Sequence, residues 1–279
     1  GTFSERLSSF SQPFYLEHMM RTKAIYPILV LLCFSFACQA LFPATPPPRD
    51  GVVIDNCSEF VKSIRSMQTN DTPQELIETG IKQGGEFDVN EYFNVTPNLS
   101  MQEGYALDYV IIPDSLGSFP LLAARPVDQP PYKSSSEVSV DSELTNYWKY
   151  MEVTDNEQGY FEYASFLLLA NQFYLVWHAN YNDLGIVCDR ATVDNIVANV
   201  NDGGFGVEFD REQMKQIKAL QNIEPLVKLT DTTATVELVV FSNWGGFYRM
   251  TYTISRSSPH EIMDRQDENI IPYDCGIMF

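Results

Sequence analysis

The string from Phe173 to Asp189 holds the chain's most pointed grouping of chemically capable residues. On an extended strand alternate residues share a face. Tyr174, Val176, His178 and Asn180 would then line one side, opposite Phe173, Leu175, Trp177 and Ala179. His178 and Asn180 would project together from a sheet rim, with Asp183 and Asp189 close behind. An imidazole, an amide and two carboxylates so placed suit a polar ligand. An ordinary turn made by Asn180, Asn182 and Asp183, with His178 satisfied by one hydrogen bond, is the plainer reading. His178, Cys188 and Asp183 also supply a base, a nucleophile and an orienting acid. Ile186 and Val187 argue instead for a buried Cys188, whereas a reactive thiolate needs an exposed, electropositive niche.

Other candidates are weaker. His260-Glu261-Ile262-Met263-Asp264 has the start of a metalloprotease helix but lacks the second histidine four residues on. Asn199, Asn201 and Asp202, or Asp264, Asp267 and Glu268, are oxygen sets without the spacing of a calcium loop, so solvated loops are the plainer reading. There is no GxSxG elbow, GxxxxGK loop or GxGxxG turn. We therefore expect no catalytic residue, metal site or cofactor. Trp244 lies in the turn Asn243-Trp244-Gly245-Gly246, where an exposed ring could stack on a ligand or fold back on the sheet. The candidate ligand-binding set is His178, Asn180, Asp183 and Trp244.

The elements that must position these residues follow from apolar periodicity and turn chemistry. Helices are expected over 56–67, from Thr72-Pro73-Gln74-Glu75 to about Gln83, near Val89–Phe93, after Asp189 to about Asn199, and after Asp210 over 211–220. Strands are expected over 105–112, 121–124, 147–153, 160–169, 173–179, 184–188, 234–241, 247–254 and 270–275. The sum is an α+β fold: an antiparallel, meander-like sheet of six or more strands with segregated helices. Alternating βαβ folds do not fit.

The N-terminal part speaks of location. Arg21 and Lys23 precede the uncharged run Ala24–Phe36, the right length for a signal peptide and short for a span. Ser35-Phe36-Ala37-Cys38 approximates a lipobox, which would place a lipid on Cys38. Cleavage after Ala40 and an uncleaved anchor are the alternatives. Residues 1–18 read as an upstream extension, 19–37 as the signal peptide, 38–50 as a proline-rich tether and 51–279 as a single globular domain. Export permits a disulfide; Cys188 and Cys275 both end apolar segments and are the favoured pair, against three small buried thiols.

The net charge of −19 argues against nucleic acid and against charge-driven docking on anionic lipid. It suits solubility in a crowded envelope.

Five strings occur together: Asp88-Val-Asn-Glu-Tyr-Phe93, Ala124-Arg-Pro126 with Gln129-Pro-Pro-Tyr132, Trp177-His-Ala-Asn-Tyr-Asn-Asp183, Trp244-Gly-Gly-Phe-Tyr248 and Pro272-Tyr-Asp-Cys-Gly276. Over most of residues 85–279 they resemble an uncharacterised group of exported bacterial proteins, Chloroflexi-like, with the same signal-plus-tether start. The resemblance implies a location and no activity. The expectation is an exported envelope protein, held at the outer face of a bacterial membrane by lipid or anchor, that binds a small molecule or a partner protein without catalysis. An envelope hydrolase acting on glycan or peptide, and a structural surface component, are the alternatives.

Overall fold

The aromatic-rich and aliphatic-rich run Tyr160 to Leu169 is a helix rather than the expected strand. In the computed structural model, which describes residues 49–69, 71–114, 117–177, 183–203 and 206–276, α3 spans Glu157–Leu169. Asn156 caps it, its side chain accepting from the Gly159 N–H at 2.8 Å, and Glu157 complements the N-terminal dipole. A continuous apolar run cannot be told from a buried helix by periodicity. Here ten of its residues, including Tyr160, Phe161, Tyr163 and Phe166, are buried, so the helix is apolar on nearly every side because it is surrounded.

The domain is α+β, built on a six-stranded antiparallel sheet. Its strands are β1 (Val52–Val53), β7 (Gly185–Val187), β8 (Leu226–Leu229), β9 (Thr233–Ser242), β10 (Gly246–Ser255) and β11 (Ile262–Pro272). The order is β1-β8-β9-β10-β11, and β7 pairs with the far end of β9. β8 covers Ala234–Glu237 and β7 covers Val239–Phe241, so the two share one edge of β9. Alternation along β9 feeds two cores. Ala234, Val236, Leu238 and Val240 meet the α3 side. Val239 and Phe241 face α4 (Arg190–Asn201) and α5 (Arg211–Ala219), capped by Asp189 and Asp210 as expected.

β2 (Leu99–Met101) pairs with β5 (Met151–Val153), and β3 (Tyr105–Asp114) with β4 (Gly117–Pro126) and β6 (Val176–Trp177). The expected strand over 147–153 keeps only its end, because Tyr147–Tyr150 turn as a 3-10 helix. The strand over 173–179 keeps Val176–Trp177 within the described residues, because Tyr174 takes a left-handed φ of 48°. The last strand begins eight residues early: Ile262–Asn269 is charged and exposed on a sheet edge, which hides its β character.

α1 (Cys57–Met67) packs Phe60 and Ile64 inward. α2 (Gln74–Thr79) stops at left-handed Gly80, short of the expected Gln83. Cys57 and Cys188 form a disulfide across a sequence separation of 131 residues. This corrects the expected Cys188–Cys275 pair; Cys275 is a free, buried thiol beneath β11. End-of-strand position described both cysteines but carried no information on which α1 residue would approach. Asp50–Phe279 form one compact unit. The expected signal segment, the expected lipidation residue Cys38 and the expected tether up to residue 48 lie outside the described residues, as do His178 and Asn180.

Candidate functional site: a cavity at the open edge of β3

β3 and β4 pair over their whole length, with Asp108 opposite Ala123 and Arg125 opposite Ala106. Asp108 and Arg125 are thus diagonal neighbours on one face, within reach for long side chains. The Arg125 Nε donates to Asp108 Oδ2 at 2.9 Å. Lys82, arriving after α2, donates from Nζ to Asp108 Oδ1 at 2.6 Å. Backbone N–H groups of Tyr109 and Tyr132 donate to the same carboxylate at 2.8 and 2.9 Å. Asp108 is 6% exposed, and four donors, two of them cationic, satisfy it. A buried charge so paired ties together the Lys82 stretch, the β3–β4 hairpin and the Tyr132 stretch.

The segment 82–90 crosses the open edge of β3. The Asn90 side chain substitutes for a missing neighbouring strand there. Its Nδ2 donates to the Leu107 carbonyl at 2.9 Å and its Oδ1 accepts from the Leu107 N–H at 3.1 Å. Asp88 holds Asn90 in turn, through the backbone N–H at 2.9 Å and Nδ2 at 2.8 Å. On the far side Lys82 N–H donates to the Lys133 carbonyl at 2.9 Å, and Arg125 donates to the Pro126 and Gln129 carbonyls. The Pro130-Pro131-Tyr132 segment is fixed as the opposing wall.

These walls enclose a cavity of about 350 Å³, in the range of small-molecule sites. Apolar lining comes from Phe87, Val89, Leu107, Pro130, Pro131 and the Tyr109 ring. Polar lining comes from Lys82, Glu86, Asp88, Asn90, Asp108 and Arg125. Two features stand out.

The first is Tyr109. It is 2% exposed, and its hydroxyl has no hydrogen-bond partner among the described residues. The Lys82 Nζ sits 4.1 Å above its ring centroid, and Phe173 packs edge-on at 4.9 Å. Burial pushes the phenol well above its ordinary pKa, and nearby Tyr174, Glu86, Asp108 and Asp88 push it further, so it stays neutral.

The second is the turn 83–86. The N–H groups of Gln83, Gly84 and Gly85 donate to the Glu86 carboxylate at 2.5, 2.8 and 3.0 Å. Burial works to raise the Glu86 pKa, but these backbone bonds outweigh it and hold the carboxyl below its ordinary range. Three successive N–H groups turned on one anion form a nest.

The residues singled out from sequence go elsewhere. Asp183 Oδ1 accepts from the Ser242 hydroxyl at 2.6 Å and its Oδ2 from the Asn243 N–H at 2.6 Å. Trp244 is half-buried against the α4–α5 core. Both therefore meet at the β9–β10 turn, where Cys275 and Tyr273 also donate, to Asn243 and Gly245 carbonyls. That turn joins three of the five strings noted above, and neither Asp183 nor Trp244 lines the β3 cavity. Cys188, as half a disulfide, cannot be a nucleophile. His260 is buried, with Nδ1 3.1 Å from the Ser255 carbonyl and Nε2 3.8 Å from Glu152. Asn201 accepts from the Phe209 N–H at 3.0 Å, and Asp267 pairs with Arg265 at 2.7 Å. Among the described residues no three of His, Cys, Asp and Glu are grouped to hold a metal ion.

Sequence reasoning passed over Lys82, Glu86, Asp108, Tyr109 and Arg125. The available signal was a carboxylate and a guanidinium, each inside an otherwise apolar strand, facing each other across one hairpin. The other two strings, Asp88–Phe93 and Ala124–Pro126 with Gln129–Tyr132, supply the walls of this cavity. No protein family, curated protein or solved structure matches the chain.

Proposed function

We propose that the chain is an exported, lipid-anchored envelope protein whose α+β domain binds a small molecule in the β3 cavity without transforming it. The observation that carries this reading is the cavity of about 350 Å³ itself, with apolar Phe87, Val89, Pro130 and Pro131 set against Lys82, Glu86, Asp88 and Arg125. The signal-like segment 19–37 and Cys38 support the location, as does the resemblance to exported proteins. No helix among the described residues is long and apolar enough to cross a membrane, which is consistent with attachment through the N-terminal segment.

The chemistry of the cavity favours binding over hydrolysis. A glycosidase needs one carboxyl protonated near neutral pH and a second as base or nucleophile. Here Glu86 is held ionised by three backbone donors from the 83–85 turn, and both oxygens of Asp108 are committed to donors. Two of the three basic residues that line the cavity, Lys82 and Arg125, are spent largely on Asp108.

Native mass spectrometry of the protein extracted from its own membranes tests both halves of the proposal. A small molecule that leaves on denaturation, together with a diacylglyceryl mass on the peptide beginning at Cys38, is expected. A domain that emerges bare and binds nothing in a metabolite library would overturn the binding reading. An unmodified Cys38 would overturn the anchor.

A further inference from the structure

We infer that the β3 cavity takes a small zwitterion with an apolar body, of the α-amino-acid type, its carboxylate held by the basic side chains of the lining and its ammonium by the acidic ones. The inference rests on the binding reading above and names the ligand class.

The fold sorts the charges of the cavity into two groups. Lys82 and Arg125 both meet the Asp108 carboxylate, at 2.6 and 2.9 Å. The Tyr132 N–H meets the same carboxylate at 2.9 Å, and Lys133 follows it in the chain. The Lys82 N–H then bonds the Lys133 carbonyl at 2.9 Å, which closes this group. Three cations so gathered have one carboxylate to offset them, and the group is positive. Glu86 and Asp88 form the other group, on the segment that Asn90 ties to Leu107. All three basic residues of the lining belong to the first group, so the second is negative.

The second, independent observation is what these side chains leave unused. Arg125 spends Nε on Asp108 and Nη1 on the Pro126 and Gln129 carbonyls, while no described residue bonds its Nη2. That side chain is only 13% exposed. Asp88 Oδ1 accepts both bonds from Asn90, while no described residue bonds its Oδ2. Nor, among the described residues, does a basic side chain pair with Glu86 or Asp88, or a carboxylate with the Lys133 ammonium. Opposite charges that line one cavity are thus held apart instead of neutralising each other. A guanidinium edge with a spare donor and a carboxylate with a spare oxygen complement the two ends of a zwitterion.

The remaining lining, Phe87, Val89, Pro130 and Pro131, is apolar and suits an aliphatic or aromatic side chain between the two charges. A zwitterion carries no net charge, so the field of a chain at −19 does not repel it as it would a free anion.

Isothermal titration of the full chain with leucine, valine and phenylalanine, and with the N-acetyl and amide derivatives of each, tests the inference. At least one free amino acid should bind about tenfold more tightly than both of its derivatives, because each derivative forfeits a charge-assisted contact. Asp88→Asn keeps an acceptor for Asn90, and Lys133→Gln changes an exposed side chain, so both variants should melt like the unaltered protein. Asp88→Asn should weaken the amino acid about threefold and leave its N-acetyl derivative unchanged, the scale of one exposed charge pair. Lys133→Gln should weaken the amino acid by a similar factor and leave its amide unchanged. Derivatives that bind as tightly as the amino acid would overturn the zwitterion assignment and leave the cavity as a binding site. Two folded variants that bind the amino acid unchanged would refute the roles of Asp88 and Lys133. A native mass that reveals a bound molecule lacking either charge would overturn the ligand class alone. No heat with any probe, together with a bare native mass, would sink the cavity reading as well.

Discussion

Asp108 is the residue on which the cavity depends most, and replacing it by asparagine isolates its charge from its shape. Asparagine keeps the volume and one acceptor oxygen. Its amide nitrogen, however, must face donors, because Arg125 Nε and Tyr132 N–H both reach Oδ2 while Lys82 Nζ and Tyr109 N–H reach Oδ1. Whichever way the amide turns, two bonds become donor against donor, and Lys82 and Arg125 lose their counter-charge. Their side chains are 10% and 13% exposed, so water rescues little. Two lost charge-assisted bonds at about 1.5–3 kcal/mol each, set against about 3–5 kcal/mol for breaking a buried pair, give a destabilisation of about 4 kcal/mol. Urea unfolding followed by tryptophan fluorescence and far-ultraviolet circular dichroism should show a midpoint lowered by more than about 1 M at unchanged slope. Removing all three charges together, as Lys82→Met, Asp108→Leu and Arg125→Met, should recover most of the loss, since apolar replacements of a buried ion cluster are often neutral. A loss below about 1 kcal/mol for Asp108→Asn, within the range of ordinary surface changes, would refute the claim that this cluster holds the walls in place.

Peptide mapping without reductant should recover Cys57 joined to Cys188. Closing 131 residues by that bond stabilises by about 5 kcal/mol on the chain-entropy estimate, so Cys57→Ser should unfold at a markedly lower urea concentration. Gly159→Ala would place a methyl 2.1 Å from the Thr154 carbonyl oxygen at the entrance to α3; calorimetry should show a loss of about 1–3 kcal/mol. Asp189→Ala removes the acceptor for the Thr192 N–H at 2.7 Å and should cost about 1 kcal/mol. The Thr192 N–H and hydroxyl bonds also lower the Asp189 pKa. The stability they confer is therefore complete above the unfolded value near 4 and fades as pH falls through the folded one, so the variant's acid limb should be flatter. Burial raises the phenols of Tyr92, Tyr160 and Tyr252 to about 12. Because the unfolded chain ionises near 10, stability is whole below that pH and is lost between about 10 and 12. Absorbance at 295 nm should rise together with alkaline unfolding rather than before it.

Local signals placed many elements. Asp189 and Asp210 announce helices because a capping side chain acts within three residues, and both caps form. The β9–β10 hairpin follows from alternation and a glycine turn, with Ser242 paired to Gly246 as the innermost residues. Where burial was complete, local pattern failed. Tyr160–Leu169 has strand-like composition, yet the Asn156 cap and an enclosing core on all sides make it α3. Ile262–Asn269 has loop-like composition, yet seven register partners along β10 make it a strand; hydrogen bonding to a neighbour is invisible to a window moved along one chain.

The site divides in the same way. By itself the sequence determined the α+β class, the acidic surface, the capped helices and the turn strings, because each depends on residues a few places apart. It could also single out Asp88–Phe93 and Gln129–Tyr132 as unusual, but not that they face each other. Only the tertiary structure brought Lys82 to Asp108 and Arg125 on one hairpin face and opened a cavity beside them. It likewise chose Cys57 over Cys275 as the mate of Cys188. Pairings across 17 to 131 residues are set by how strands register and how helices pack, and those are properties of the whole chain.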